Sequence, residues 1–328
     1  MNDYPMILIT GVTGFVGGAL CSALEGRFEL RGALRAKKSW HGGSSIDLRE
    51  QQLTPDEDWS AALQGVDTVI HCAARVHLLR EQSTNPSADF HYVNVGGTLN
   101  LARQALHSGV RRFIFLSSIG VNGGETDLNP INDKSDACPH SPYAISKHRA
   151  ELALFSLANK SAMEVVVIRP PLVYGPNAPG NFATLMNWLW SGFPLPFGMV
   201  TNNRRSFVCI DNLVSLIEIC LDHPAAANQT FLVSDDEDLS TAALLRRLTT
   251  ALGRPVRLIP VPVGLITLGA KMIGRPGIAQ RLCGSLQVDI GKTKELLGWS
   301  PLVSVDEGLR RAAEHWLKSC GKRQRVSG

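Results

Sequence analysis

Apolar residues in the first half of the chain follow two alternating patterns. Short apolar runs occur at Met6–Thr10, Leu30–Leu34, Thr68–Cys72, Phe113–Ser117 and Val165–Arg169, and each predicts a buried strand. Between them, helical spacing of apolar positions at Val16–Leu24, Trp59–Leu63, Val95–Leu106 and Tyr143–Ala158 predicts helices with one buried face. Strands that alternate with amphipathic helices join by right-handed crossovers, so the expected fold is α/β, a doubly wound parallel sheet. The pattern changes at Pro170-Pro171. Beyond it Gly175-Pro176, Pro179-Gly180 and Phe193-Pro194-Leu195-Pro196 break the periodicity and predict a smaller, loop-rich lobe. The expected division is a domain at 1–170, rejoined by about 205–235 through a strand at Ser206–Ile210, and a second lobe at 171–328. The last residues, 318–328, read as a basic, flexible tail.

Composition narrows the function classes. The 44% hydrophobic content supplies ample core for a globular protein of 328 residues, a length that suits two domains. Basic residues outnumber acidic ones by 33 to 29, and Lys318, Lys322, Arg323 and Arg325 in the tail account for the whole excess. With the body neutral, no nucleic-acid partner is expected. The seven cysteines are scattered, without a Cys-x-x-Cys, which predicts reduced thiols of a cytoplasmic protein, no disulfide framework and no metal site. No signal-peptide pattern is read at the N-terminus. The most apolar stretches, Leu185–Leu189 with Trp188 and Trp190, and Gly264–Ile273, fall short of the ~18 residues of a membrane span.

Candidate chemistry lies in two places. Gly11-Val12-Thr13-Gly14-Phe15-Val16-Gly17 follows the first strand and opens the first helix. Glycines there permit a tight turn, close approach of a pyrophosphate and helix-on-strand packing, while the helix start offers N–H donors. The spacing departs from Gly-x-Gly-x-x-Gly, and a plain glycine turn is the bland alternative, but its position between strand and helix predicts dinucleotide binding. After the second strand Arg35 stands where an acid would contact a free ribose, and no acid occurs between Glu29 and Asp47. NADP is therefore favoured over NAD, the alternative being that Arg35 stacks on adenine or is solvated. Asp47-Leu48 is a candidate for the adenine edge. The second place is Tyr143 and Lys147, which share a helix face at i and i+4. A phenol titrates near ~10 in water, and a neighbouring ammonium favours its ionised form, so the pair is a candidate proton-transfer device.

These features, in this order, resemble the extended short-chain dehydrogenase/reductase family, specifically its nucleotide-sugar epimerases, dehydratases and 4-ketoreductases. The resemblance spans nearly the whole chain. It includes the glycine loop, His71-Cys72-Ala73-Ala74, Asn94, Ser117-Ser118, Tyr143-x-x-x-Lys147, Arg169-Pro170, Val173-Tyr174-Gly175-Pro176, Arg205–Asp211 and Leu297-Gly298-Trp299-Ser300-Pro301. It implies a Rossmann-type domain with a C-terminal substrate lobe. It makes Tyr143 the acid/base, Lys147 the residue that binds the nicotinamide ribose and tunes the tyrosine, and Ser118 the donor to the reacting oxygen. Ser118 could instead cap the next turn, and Ser117 is its neighbouring rival. Cofactor contacts are expected from Gly11, Thr13, Gly14, Phe15, Val16, Gly17, Arg35, Asp47, Leu48, Ala73, Ala74, Asn94, Ser117, Tyr143, Lys147 and Pro170. Asn181 and Arg205 are expected to contact the nucleotide part of a UDP-sugar, since an arginine fork suits a pyrophosphate. Arg204, or a surface salt bridge for Arg205, is the alternative. Arg281 and Asp289 are weaker candidates, and Trp188 and Trp190 are expected in the core or a pocket wall.

Dehydratases of that family carry Thr-Asp-Glu where this chain has Ser118-Ile119-Gly120, so 4,6-dehydration is disfavoured. The resemblance then leads first to NADPH-dependent reduction of a UDP-4-keto-6-deoxy-N-acetylhexosamine for surface polysaccharide, and next to a UDP-hexose 4-epimerase with retained NAD. Steroid- or flavonoid-type reductases and a non-catalytic NADP-binding sensor are the more distant readings. Relatives pair the helices at Val95–Leu106 and Tyr143–Ala158 across a four-helix bundle, which implies a homodimer.

Overall fold

The computed structural model describes residues 5–36, 40, 42–43, 45–76, 85–127, 129–272, 274 and 276–326. Seven parallel strands form the central sheet: β1 (Met6–Thr10), β2 (Glu29–Leu34), β3 (Asp47–Glu50), β4 (Val66–His71), β5 (Arg112–Leu116), β6 (Glu164–Arg169) and β9 (Gln229–Leu232), the last joining after a short pair formed by β7 (Leu172–Tyr174) and β8 (Phe207–Cys209). Their spatial order is β3-β2-β1-β4-β5-β6-β9, so the direction of winding reverses between β1 and β4. Ligands of such sheets bind in the crevice above the carboxyl ends of the strands at that reversal.

The helices are α1 (Phe15–Leu24), α2 (Ser60–Leu63), α3 (Pro86–Phe90), α4 (Thr98–His107), α5 (Pro142–Ala158), α6 (Asn181–Trp190), α7 (Ile210–Asp222), α8 (Thr241–Ala251), α9 (Val263–Met272), α10 (Pro276–Cys283), α11 (Gly291–Leu297) and α12 (Val305–Val326). Alternate strand residues serve opposite faces. Ile7 and Ile9 face Leu20 and Leu24 of α1, in a core that continues through α7 into the second lobe at Phe182, Leu245 and Trp299. Leu8, Val69, Phe113 and Val165 pack on the other face against Leu101 of α4 and Leu154 of α5.

Several expectations change. The expected strand at Ser206–Ile210 does not return to the large sheet: Phe207–Cys209 pairs with Leu172–Tyr174, and Gln229–Leu232 is the strand that joins β6. Strand β3 was not foreseen, because Asp47-Leu48-Arg49-Glu50 is a polar edge strand without a buried apolar run. The helix expected from Val95 begins at Pro86, capped by the Asn85 side chain, and runs through a π-helical stretch, His91–Gly97, into α4. The basic segment expected as a loose tail continues α12 to Val326. Lysine and arginine are good helix formers and sit favourably at a helix carboxyl end. The described cysteines Cys21, Cys72, Cys138, Cys209, Cys220 and Cys283 are free. Among the described residues no helix is long and apolar enough to cross a membrane.

Candidate active site

The glycine loop leaves β1 at the reversal point. Gly11 has φ +72, a left-handed conformation that favours glycine, and its N–H bonds Ala33 O at 3.0 Å. A Cβ on Gly11 would lie 3.0 Å from the Ala73 backbone, so the loop is seated directly against the end of β4. Gly14 caps α1 without a side chain, and the first turn carries no acid, which leaves its N–H groups open to an anion. Thr13 and Gly14 are exposed, whereas Phe15 and Val16 are half-buried. A cradle of this kind fits the diphosphate of a dinucleotide. Gly17 is where helix meets strand: a Cβ there would lie 2.3 Å from Gly11 O. Gly17→Ala is therefore expected to push the loop open and weaken dinucleotide binding by ~10-fold or more, as read by calorimetry.

The turn after β4 hangs on β1. Buried His71 bridges Thr10 Oγ1 (2.7 Å) and Thr98 Oγ1 (2.9 Å), and the Ala73 N–H donates to Thr10 Oγ1 at 3.1 Å. Burial pushes the His71 imidazole down to about 3, so it is a neutral strut at physiological pH. Ala73 and Ala74 follow it at the strand ends, half-buried. Asn94 does not open a helix as expected. It lies in the π-helical stretch, where its amide accepts from Arg75 N and donates to Arg75 O and to Ser146 Oγ. It braces the turn after β4 against α5.

At the adenine end one expectation needs correcting. Asp47 pairs in register with Arg31, which pairs with Leu8, so it lies about three residues below the carboxyl ends of the strands. Its carboxylate is held by Arg31 (2.8 Å) and Arg49 (2.9 Å), below the usual carboxylate range despite the opposing cost of burial. It is remote from the ligand edge of the sheet. Leu48 packs over Gly32 beside Val12 of the loop. The residues that do reach the edge are Arg35, exposed just past β2, and Gln51 and Gln52 past β3. Register decides this, and register is invisible while β3 is not recognised as a strand.

Catalytic candidates converge where α5 crosses the end of β5. Ser141 caps α5 by accepting from Ala144 N at 3.2 Å, and Pro142 occupies the first turn. Tyr143 stands edge-on to Phe90, with ring centroids 6.1 Å apart. Lys147 is fully buried. Its ammonium donates to Leu116 O at 2.7 Å, sits 4.4 Å over the Phe115 ring and lies 6.0 Å from the centre of the Tyr143 ring. Two residues beyond Leu116, the Ser118 hydroxyl accepts from Gly120 N at 3.1 Å and so caps the turn Ile119–Val121. Accepting leaves its O–H free to donate, so the capping alternative and the catalytic one are compatible. Ser117 is buried, and among the described residues its hydroxyl has no partner. Pro170 O accepts from Ile119 N at 2.9 Å and fixes the same turn.

Burial dominates the protonation states. It pushes the Tyr143 phenol up to about 12 and the Lys147 ammonium down to about 8. The expected lowering of the phenol by its neighbour is outweighed, because the ammonium is turned towards Leu116 O and Phe115. The cationic nicotinamide that this cradle fits would supply the hydride acceptor and further favour a phenolate. Cofactor affinity is expected to fall as pH rises through about 8, where Lys147 loses its charge, and to stay level in Lys147→Arg. Stability moves the other way. Because the folded-state value lies below the unfolded one, the cost of the buried charge is fully present below pH 8 and is relieved as pH rises towards ~10.4.

One part of the site was missed in the sequence. Glu151, a further turn along the Tyr143–Lys147 face, is buried and takes Arg169 in a two-pronged pair (3.0 and 2.5 Å). Arg169 also donates to Asn122 Oδ1, and Asn122 holds Ser135 O. This chain ties α5 to the loop after β5. Arg169 stood in the motif, but its partner could be found only by knowing that β6 runs beside α5.

In the second lobe Arg205 turns inward, half-buried, and donates to Gly284 O at 3.0 Å. Burial lowers its guanidinium pKa, with Glu125 opposing and Arg281 reinforcing the shift. Arg204 instead faces solvent and donates to Thr201 O and Asn203 O. Asn181 opens α6; its side chain lies outside the described residues. Arg281 is exposed near Arg205, and Asp289 is exposed and caps Gly291 N. Trp188 is 46% exposed, contrary to a core role, while Trp190 is covered by the Arg254 guanidinium at 3.9 Å. Cavities of about 600 and 430 Å³ flank Glu125, one walled by Thr126 to Ser135 and the other by Gln280 to Gly284. The first is formed by the loop between β5 and α5 and the second by Glu125 of that loop with residues of α9 and α10, and neither is lined by Ser118, Tyr143 or Lys147.

Comparison with known proteins is consistent with this geometry. Residues 7–234 match the model of the NAD dependent epimerase/dehydratase family. The chain is 44% identical over 316 residues to UDP-glucose 4-epimerase of Vibrio cholerae, covering 95% of this chain and 96% of that protein. It is 27% identical to N-acetyl-alpha-D-glucosaminyl-diphospho-ditrans,octacis-undecaprenol 4-epimerase of Escherichia coli O157:H7, covering 96% of both. Among solved structures, UDP-glucose 4-epimerase of Thermotoga maritima with UDP-glucose superposes with a TM-score of 0.77 at 22% identity, covering 96% of this chain and 99% of that one. UDP-glucuronic acid 4-epimerase of Bacillus cereus with NAD superposes with a TM-score of 0.78 at 21% identity and the same coverage. At those identities the structures establish the shared fold.

Proposed function

The chain belongs to the NAD dependent epimerase/dehydratase family, and from that premise we propose that it is a UDP-hexose 4-epimerase. The carrying observation is the 44% identity to the Vibrio cholerae enzyme, which extends through both lobes of this chain. Ile119 and Gly120 support the same reading, because elimination across C5 and C6 needs a carboxyl there and neither can supply one. A nicotinamide held on the glycine loop would supply the hydride acceptor and donor for C4. Tyr143 takes the proton from O4 as the C4–H bond breaks and gives it back once the hydride has returned to the opposite face. Ser118 donates to the same oxygen, Lys147 holds the ribose, and Arg205 receives the sugar diphosphate.

A second reading is kept for one observation. Arg35 is exposed at the ligand edge and no acid occurs in the sequence between Glu29 and Asp47, which supports exchangeable NADPH and reduction of a UDP-4-keto-6-deoxy-N-acetylhexosamine. Incubation of purified protein with UDP-glucose and no reductant separates the two: UDP-galactose is expected. Failure with UDP-hexoses, together with stoichiometric NADPH oxidation on a 4-keto sugar, would favour the reductase. We also propose a homodimer through α4 and α5, where Leu152 is 58% exposed and Ile145 lies two turns before it on the same face. Leu152→Arg is expected to halve the mass measured by sedimentation, and an unchanged mass would exclude that face.

A further inference from the structure

An apolar surface drawn from a stretch without acids lies in the second lobe, away from Tyr143 and Lys147. From Leu239 to Val288 the chain contains no aspartate or glutamate, although 29 acids in 328 residues would place about four in such a stretch. Arg254, Arg257, Lys271 and Arg281 are exposed within it. Helix α9 is turned the unusual way round. Leu265, Leu268 and Met272, at i, i+3 and i+7, form one stripe and are 59%, 55% and 80% exposed, while Ala270 on the opposite side is buried. The exposed surface continues past the helix. Val256 and Ile259 precede it, and the segment at 195–198 pairs with 257–259 through Leu195 N to Arg257 O and Gly198 N to Ile259 O. That pairing brings Phe193 (73% exposed) and Met199 (49% exposed) alongside.

We propose that this face seats the protein on an anionic membrane surface. The ten residues of α9 are too few to span a bilayer. A helix lying in the interface needs what is found here, an apolar stripe facing outward with cations beside it and no acid of its own. Exposed aromatic side chains such as Phe193 and Trp188 suit the headgroup boundary. A second copy of the chain is a poor occupant, because pairing this face with itself would set its cations against one another. Hairpin α9–α10 ends at Gly284, whose carbonyl receives Arg205. Docking therefore brings the donor-diphosphate site to the membrane, a consequence that rests on the functional reading, whereas the docking itself does not.

The test is co-sedimentation of the full chain with vesicles of phosphatidylcholine, alone and mixed with phosphatidylglycerol. Binding is expected only with the anionic lipid, and it should weaken as salt is raised. The triple variant Leu265→Gln, Leu268→Gln, Met272→Gln should lose most of the binding. The variant Arg254→Gln, Arg257→Gln, Lys271→Gln should weaken it on the order of 100-fold. Turnover of a soluble UDP-sugar should be the same in both variants as in the parent, and vesicle binding reports on the surface even where no turnover is found. Absence of binding to anionic vesicles at low salt, or equal binding by the parent and the apolar variant, would overturn the proposal. So would a lower solution mass of the apolar variant, which would assign the face to a second copy.

Discussion

Tyr143→Phe is expected to lower kcat by about 10²- to 10⁴-fold while dinucleotide affinity changes little. The substitution removes one oxygen and keeps the ring that packs edge-on to Phe90, so the wall of the site survives. Lys147 keeps its bond to Leu116 O, which does not involve the phenol. What disappears is the hydroxyl to which we assign proton exchange with the sugar oxygen. Turnover of UDP-sugar and binding of the dinucleotide, measured on one preparation, separate the two effects. A non-catalytic sensor on this fold would show no loss because it has no turnover to lose. Retained turnover would move the acid/base role to another group.

The largest stability effect is expected at Asn212, far from the chemistry. Its side chain is fully buried and uses all its bonding capacity: Oδ1 accepts from Leu302 N and Val303 N, and Nδ2 donates to Val303 O and to Asp235 Oδ1. Asp235 also receives Cys209 N and the Tyr174 hydroxyl, and with that carboxylate beside it the phenol is pushed further above its ordinary range than burial alone would take it. One amide thus joins α7, the turn after β9 and the segment entering α12. Asn212→Ala leaves several of these groups buried without partners, at about 1–3 kcal/mol each before relaxation. The expected loss is about 3–5 kcal/mol, read from the denaturant midpoint. A loss below about 1 kcal/mol would mean that the segment at 302–303 does not depend on this anchor.

Local signals were readable where they depended on nearest neighbours. The glycine loop, the Tyr143–Lys147 face and the cap at Ser118 each lie within a few residues, and spacing along a strand or helix places them. Five of the seven large-sheet strands could be read because buried parallel strands are continuous apolar runs. The edge strands β3 and β9 could not, and the loss of β3 misplaced Asp47, since the depth of a residue in a sheet follows from register with its neighbours. Asn94 was found but its task was not: its partners Arg75 and Ser146 lie 19 and 52 residues away. Glu151, Asn122 and Asn212 act through contacts of that kind. Their residue types are ordinary, and only the fold reveals that each is buried with every partner present. The expected fall in the Tyr143 pKa failed for a related reason, because spacing reports a neighbouring ammonium and says nothing of burial.

In the proposed epimerisation, hydride leaves and returns to the same sugar carbon within one turnover. UDP-glucose carrying deuterium at C4, given to the purified protein without added reductant, tests it most directly. UDP-galactose that still carries the deuterium at C4 is expected, with no net change in nicotinamide absorbance. Product that has lost the label, or no product until NADPH is supplied with a 4-keto sugar, would contradict it.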